Sequence, residues 1–259
     1  MPRRTARALR VAVLAAALAA PNAATAAGPL CAASATKAPG AAAPVGTTAC
    51  PGIRPGATYL SGAERCTFAF VFQGSDRRRY VATAGHCAVD PDTDGTRTWR
   101  NGTGPAVTDA AGKRLGSFAY AVLDGEFRDF GLVRLDPGVA SSPEMCHFGG
   151  PTGINTTVAN TDLLVHHYGH GTGADYVPAR TGDMFFGLYR PDYVYFYGVA
   201  STGDSGGPVI AEDGSAIGVL TDLTTPFTGN VGVNRLAQHL ADAQRALRVR
   251  LTLLTAPVA

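Results

Sequence analysis

No stretch of this sequence is apolar for long enough to cross a bilayer; the longest candidate, Val11 to Ala20, is too short for a membrane span. Nor does one sign of charge dominate. The chain holds 22 basic and 20 acidic residues, and without residues 1–27, which carry four arginines and no acid, it holds 18 against 20. That balance leaves no electrostatic footprint for nucleic acid or an anionic membrane surface. There is no alternation of strand and helix patterns of the βαβ kind, and no internal repeat. Cysteine is scarce and odd in number, five in all. In an exported chain these pair as disulfides, with one left over or paired elsewhere.

Export is what the N-terminus predicts. Arg3, Arg4, Arg7 and Arg10 precede the apolar run, and small residues follow around Ala24-Thr25-Ala26. That order is the signal-peptide pattern, and it assigns residues 1–27 to a signal and the chain to the extracellular space. The surroundings of Arg3-Arg4 do not support twin-arginine export, and Gly28-Pro29-Leu30-Cys31 is not a lipoprotein acylation site. Residues 28–52 are rich in Ala, Pro and Thr and offer little to bury, as expected of a propeptide or an extended N-terminal segment.

About 232 residues then remain, enough for a large core, and all-β domains often have this size. The 32 glycines and 17 prolines fall in short clusters that suit many turns. Between them lie short β-branched or aromatic runs: Cys66–Phe72, Arg79–Thr83, Gly116–Val122, Phe130–Leu135, Leu163–Tyr168, Tyr193–Tyr197, Pro208–Ala211 and Ala216–Leu220. They predict antiparallel sheet, as a sandwich or barrel. Only the C-terminus predicts a helix. From Asn234 to Leu251, apolar residues recur at Leu236, Leu240, Ala243, Leu247 and Leu251, one face of a helix.

Three motifs carry chemistry. The first is Gly203-Asp204-Ser205-Gly206-Gly207-Pro208. A serine needs a base and a place for negative charge before it can act as a nucleophile. A glycine two residues earlier lets the backbone turn so that the N–H groups of Gly203 and Ser205 point at one spot. Each donor of such an oxyanion hole is worth about 10²–10³ in rate. The plain alternative is a glycine-rich β-turn. The second motif is Thr83-Ala84-Gly85-His86-Cys87, just past a strand. A bridge from Cys87 to Cys66, on the preceding strand, would hold His86 rigidly; the alternative is a structural histidine beside a disulfide. The third is Asp129-Phe-Gly-Leu-Val-Arg-Leu. A carboxylate opening an apolar strand can be buried, where it fixes a histidine tautomer and stabilises the imidazolium. Asp124, before Gly125, and Asp136, before Pro137, compete for this role, but both lie in turn-like contexts.

Together the three motifs, in the order His86, Asp129, Ser205, resemble the chymotrypsin family of serine proteases, and look most like its bacterial secreted members. The resemblance extends from about Ile53 to the C-terminal helix. It implies an all-β fold of two antiparallel β-barrels, residues 53–140 and 141–259, with the active site between them and a C-terminal α-helix. It implies a secreted endopeptidase acting on a peptide or protein substrate through an acyl-enzyme, as a monomer, with no cofactor and no metal. A catalytically silent binding module of the same fold, or an esterase using the same triad, is the alternative.

The departures from the family pattern also carry expectations. Ile53-Arg-Pro-Gly56 replaces the usual Ile-Val-Gly-Gly start, and no basic residue precedes it for trypsin-like activation. The position that sets primary specificity is Val199, so a preference for Arg or Lys is not expected. Val199, Ala200 and Leu223 imply a shallow apolar pocket and cleavage after small or medium apolar residues, and Leu223 narrows or blocks it. Ser201 stands where the family has a disulfide cysteine. Cys146 is expected to reach back to Cys50 or Cys31, as in some relatives. The family buries the carboxylate of Asp204 against a cation. Here His167 occupies the place of an arginine used by some bacterial relatives; the amine of Ile53 or another arginine is the alternative.

Two weaker constellations remain. Asp90-Pro-Asp92-Thr-Asp94-Gly95 resembles the start of a calcium loop, but the closing Glu is Asn101, and a solvated acidic turn fits better. His166, His167 and His170 invite a zinc reading, yet adjacent strand residues face opposite ways and no ligand stands at the right spacing.

Overall fold

The structure, a computed structural model, describes residues 52–88, 95–125, 127–145, 148–157, 163–169, 180–185, 191–223 and 230–258, with the backbone alone over 180–185. The signal and propeptide assignments, the acidic loop at Asp90, His170, and Cys31, Cys50 and Cys146 lie outside the described residues.

The first sheet contains β1 (Thr58–Ser61), β2 (Glu64–Thr67), β3 (Val71–Gly74), β4 (Arg79–Thr83), β5 (Gly95–Thr98), β6 (Ala106–Thr108), β7 (Arg114–Leu123) and β8 (Asp129–Leu135). The second contains β9 (Gly153–Ile154), β10 (Leu163–His167), β11 (Arg180–Phe185), β12 (Tyr193–Tyr197), β13 (Pro208–Ala211), β14 (Ser215–Leu223) and β15 (Asn230–Arg235). Helix α1 (Leu236–Leu247) follows, and the last strand, β16 (Leu251–Leu253), returns to the first sheet beside β3.

The order in the first sheet is β16-β3-β4-β8-β7-β6-β1-β2, with β5 on β7; in the second it is β13-β10-β11-β12-β15-β14-β9. Because β13 also pairs with β14, six strands of the second sheet close into a ring, which removes their free edges. All pairings are antiparallel except β14 with β9. The expected all-β architecture, two antiparallel β-barrels and a C-terminal helix, is observed as two curled antiparallel sheets and one C-terminal helix, with β16 from the second expected barrel joining the first sheet.

Two buried clusters fill it. One lies under the first sheet around Phe68, Phe70, Phe72, Phe118 and Phe130, and takes in Leu236, Leu240 and Ala243 of α1. The other sits inside the second barrel around Val165, Val194, Phe196, Val209, Leu220, Val231 and Val233. Truncating one such ring to alanine costs about 3–5 kcal/mol. In β15 the period of two places Val231 and Val233 in that barrel core and turns Gly232 and Asn234 to the other face.

Two elements differ from their sequence patterns. Cys66–Phe72 is two strands, because the chain changes partner within it. Phe68 N–H donates to Ala57 O on the β1 side, whereas Ala69 N–H donates to Ala82 O in β4. The helix is shorter than expected at both ends. Asn234 and Arg235 belong to β15. Arg248 takes a left-handed conformation (φ 57°) that ends α1, so Leu251 pairs with Gly74 in a strand.

Candidate active site

His86 follows β4 on a loop fixed from two sides. The Cys66–Cys87 disulfide ties it to β2, as the sequence predicts. Gly85 lets β7 and β8 approach, since a Cβ there would lie 2.1 Å from Val122 O and 3.0 Å from Asp129 Oδ1. Asp129 opens β8 and is only 5% exposed. Its Oδ1 accepts the backbone N–H of His86 at 2.9 Å, and its Oδ2 lies 2.6 Å from His86 Nδ1. Both oxygens therefore hold one residue. Burial of the imidazole disfavours its charged form. The hydrogen bond to Asp129 and the negative charges of Asp129, Glu64 and Asp222 outweigh this, and the pKa of His86 rises above its ordinary value. The competing carboxylates are engaged elsewhere: Asp124 pairs with Arg128 at 3.1 Å, and Asp136 with Arg114 at 2.9 Å.

Ser205 lies at the end of a tight turn. Asp204 N–H donates to Ser201 O at 3.0 Å, and Gly203 at the third position has φ 99°, the left-handed value a type II turn requires. Ser205 itself is partly exposed. The turn is docked on the first sheet. Thr67 N–H donates to Ser205 O at 2.8 Å, and Thr67 Oγ1 donates to Gly203 O at 2.8 Å. Cys87 Sγ is 4.0 Å from Ser205 O. The three motifs thus converge: the Ser205 turn of the second sheet rests against the residue after His86, and His86 rests on Asp129.

The buried carboxylate of Asp204 is 0% exposed, and its Oδ2 accepts Ser201 N–H at 2.8 Å and Ser201 Oγ at 3.3 Å. The expected pairing with His167 is not formed. The ring of His167 packs 4.9 Å from that of Phe196 in the second barrel. The Ile53 N–H is a backbone amide that donates to Ala140 O at 3.1 Å, and Arg54 beside it is buried near Glu144.

Of the expected pocket residues, Ala200 is 2% exposed, and Leu223 packs with it against the second core cluster. Val199 instead stands 49% exposed. His166 and His167 face opposite sides, as strand neighbours must: His166 packs on Phe148 and His167 on Phe196. Among the described residues the one compact set of metal-type ligands is Cys66, His86 and Cys87, and its two sulfurs are bonded to each other.

Several residues of the site carry no motif. Thr83 Oγ1 donates to Thr67 O at 3.0 Å and lies 2.8 Å from Tyr59 Oη, which donates to it in turn. Asn234 Oδ1 accepts the backbone N–H of Asp129 at 3.0 Å, and Asn234 Nδ2 donates to Thr221 Oγ1 at 2.7 Å. The available signal was a polar residue inside an otherwise apolar strand, since a buried polar side chain needs a partner.

Comparison with known proteins agrees with this geometry. The sequence pattern of the family described as Trypsin matches residues 62–238, and the chain belongs to that family. Serine protease 2 of Streptomyces fradiae is 29% identical over 185 residues, covering 67% of this chain and 93% of that protein. The crystal structure of Thermobifida fusca Protease A superposes with a TM-score of 0.54 at 22% identity, over 78% of this chain and 99% of that one. That of the Nocardiopsis protease gives 0.54 at 20% identity, over 77% and 98%. The chain is a chymotrypsin-like serine protease, an endopeptidase of the hydrolase class. No helix among the described residues is long and apolar enough to cross a membrane.

Proposed function

We propose that this chain is a secreted endopeptidase that cleaves peptide bonds through an acyl-enzyme on Ser205. His86 takes the proton of Ser205 as the hydroxyl attacks the scissile carbonyl, then returns it to the leaving amine. Asp129 fixes the imidazole tautomer and stabilises the imidazolium. The N–H groups of Gly203 and Ser205 receive the oxyanion. Water then repeats the sequence on the ester and frees the acid product. The observation that carries this reading is the double hold of Asp129 on His86, which directs Nδ1 to the carboxylate and leaves Nε2 for the nucleophile.

The substrate is a protein or peptide, cut after small or medium apolar residues. Ala200 and Leu223 support this as apolar neighbours in one cluster, with the exposed Val199 at the rim. The N-terminal sequence supports secretion.

A peptide-library digest tests the proposal, with Ser205→Ala as the control. The expected result is cleavage after small or medium apolar residues by the wild type and none by Ser205→Ala. Dominant cleavage after Arg or Lys would overturn the specificity, and turnover by Ser205→Ala near the wild-type level would overturn the mechanism.

A further inference from the structure

We propose that Asn234 is a positioning residue for the reaction: through its contact with Thr221, it anchors Asp129 of the first sheet to the second sheet. The inference rests on the triad reading above and concerns what keeps Asp129 in place.

The backbone of Asp129 cannot secure itself. Asp124 N–H donates to Arg128 O at 2.9 Å, closing the β7–β8 hairpin. The next pair, Leu123 with Asp129, is therefore of the type that exchanges no ladder hydrogen bonds. The N–H of Asp129 points away from β7, in a residue that is nearly buried. A buried N–H without an acceptor costs about 1–3 kcal/mol. Asn234 Oδ1 meets it at 3.0 Å.

Asn234 is itself constrained. It is 0% exposed, and its backbone lies between β12 and β14, opposite Tyr193 and Val219. Because the Asp129 N–H can only donate, Oδ1 must face it, and Nδ2 must then find an acceptor. Thr221 Oγ1 is that acceptor at 2.7 Å. Thr221 is available because β14 is irregular there. Leu220 pairs with Val233 and Asp222 with Gly232, so Thr221 is an extra residue with no opposite number in the ladder.

The two halves of the site are thereby fixed reciprocally. The Ser205 turn is carried by the second sheet and held by Thr67 of the first. Asp129 is carried by the first sheet and held by Asn234 of the second. Displacement of Asp129 by a fraction of an ångström relaxes its grip on His86, and misplacement of a catalytic group by about 1 Å can cost about 10²-fold in rate.

The test is steady-state hydrolysis of a peptide substrate across pH, with thermal stability measured alongside. Wild-type turnover and its loss in Ser205→Ala establish the triad reading separately. With that in hand, Asn234→Ala is expected to lose about 10–10²-fold in kcat with KM unchanged. Its acid limb should move to lower pH, because the Asp129 bond that raises the pKa of His86 is weakened. Thr221→Val, which removes the acceptor, should lose kcat in the same direction, while Thr221→Ser restores it. The pair Asn234→Ala with Thr221→Val should be no worse than Asn234→Ala alone. If Asn234→Ala does not fold, the two Thr221 variants decide. An Asn234→Ala enzyme with a lowered Tm but wild-type kcat and acid limb would reduce Asn234 to a structural residue and overturn the proposal. Wild-type kcat and acid limb in Thr221→Val would do the same.

Discussion

Thr67 donates its hydroxyl to the carbonyl oxygen of Gly203 at 2.8 Å, across 136 residues of sequence. The same peptide unit is held at its other end, where Asp204 N–H meets Ser201 O. Pinning both ends fixes the orientation of Gly203, whose N–H is proposed to receive the oxyanion. Thr67→Val should therefore lower kcat by about tenfold without raising KM, less than the 10²–10³ expected from loss of an oxyanion donor itself. Thr67→Ser, which keeps the hydroxyl, should stay near wild type. Equal kinetics in the two variants would show that the hydroxyl does not orient the turn.

The acid limb of activity should lie above the ordinary histidine value, because the pKa of His86 is raised and the proposed base must be neutral to act. Activity is then lost as pH falls through that raised value. Glu64 and Asp222 contribute by charge alone, so Glu64→Gln and Asp222→Asn should each move the limb to lower pH. Higher salt should shrink the shift from Glu64, the more exposed of the two. Limbs that coincide with wild type in both variants would show that these charges do not reach His86.

At His239 the pKa shift is the opposite one, and it bears on stability. This residue of α1 is 1% exposed and stacks on Phe130 with ring centres 5.7 Å apart. Burial pushes its pKa down, against the nearby charges of Asp192 and Asp242. The unfolded chain then binds a proton that the folded one does not. His239 thus favours unfolding as pH falls below about 6.5 toward the depressed folded value. In denaturant melts, His239→Leu should flatten that part of the profile relative to wild type. An unchanged slope between pH 6.5 and 5 would contradict this.

The end of α1 offers a simpler test. Arg248 holds a left-handed backbone that a side chain disfavours and glycine accepts. Arg248→Gly should raise unfolding stability by about 1 kcal/mol, measured in urea. A loss of stability would mean that the arginine side chain outweighs the backbone strain.

Much of this molecule was legible in its sequence. Arg79–Thr83, Tyr193–Tyr197 and Pro208–Ala211 are strands over their expected spans, since each is an apolar or aromatic run closed by turn residues. The helix stripe was right through Leu247 and misleading at Leu251. Apolar spacing cannot register that Arg248 has turned left-handed and sent Leu251 into a sheet. β1 and β6 are short and half polar, and their pairing is set by partners far along the chain. The three motifs around His86, Asp129 and Ser205 were visible because each has a local pattern. Thr67, Thr221 and Asn234 were not, because their roles arise only where the two sheets meet. Asn234 even fell within the expected helix, while the structure places it in β15, on the face turned away from the second core cluster. The His167–Asp204 expectation was not met: position in the chain suggested the pair, but the His167 ring packs on Phe196.

The most direct test of the mechanism is to react the protein with a fluorophosphonate and map the adduct by mass spectrometry. A nucleophilic serine supported by a histidine base attacks such a reagent, whereas an ordinary serine does not. The expected result is one stoichiometric adduct on Ser205, formed faster as pH rises through the pKa of His86, and about 10⁴-fold more slowly in Asp129→Asn. An adduct on another residue, or none on folded protein, would contradict it; so would slow labelling in Asp124→Asn with normal labelling in Asp129→Asn.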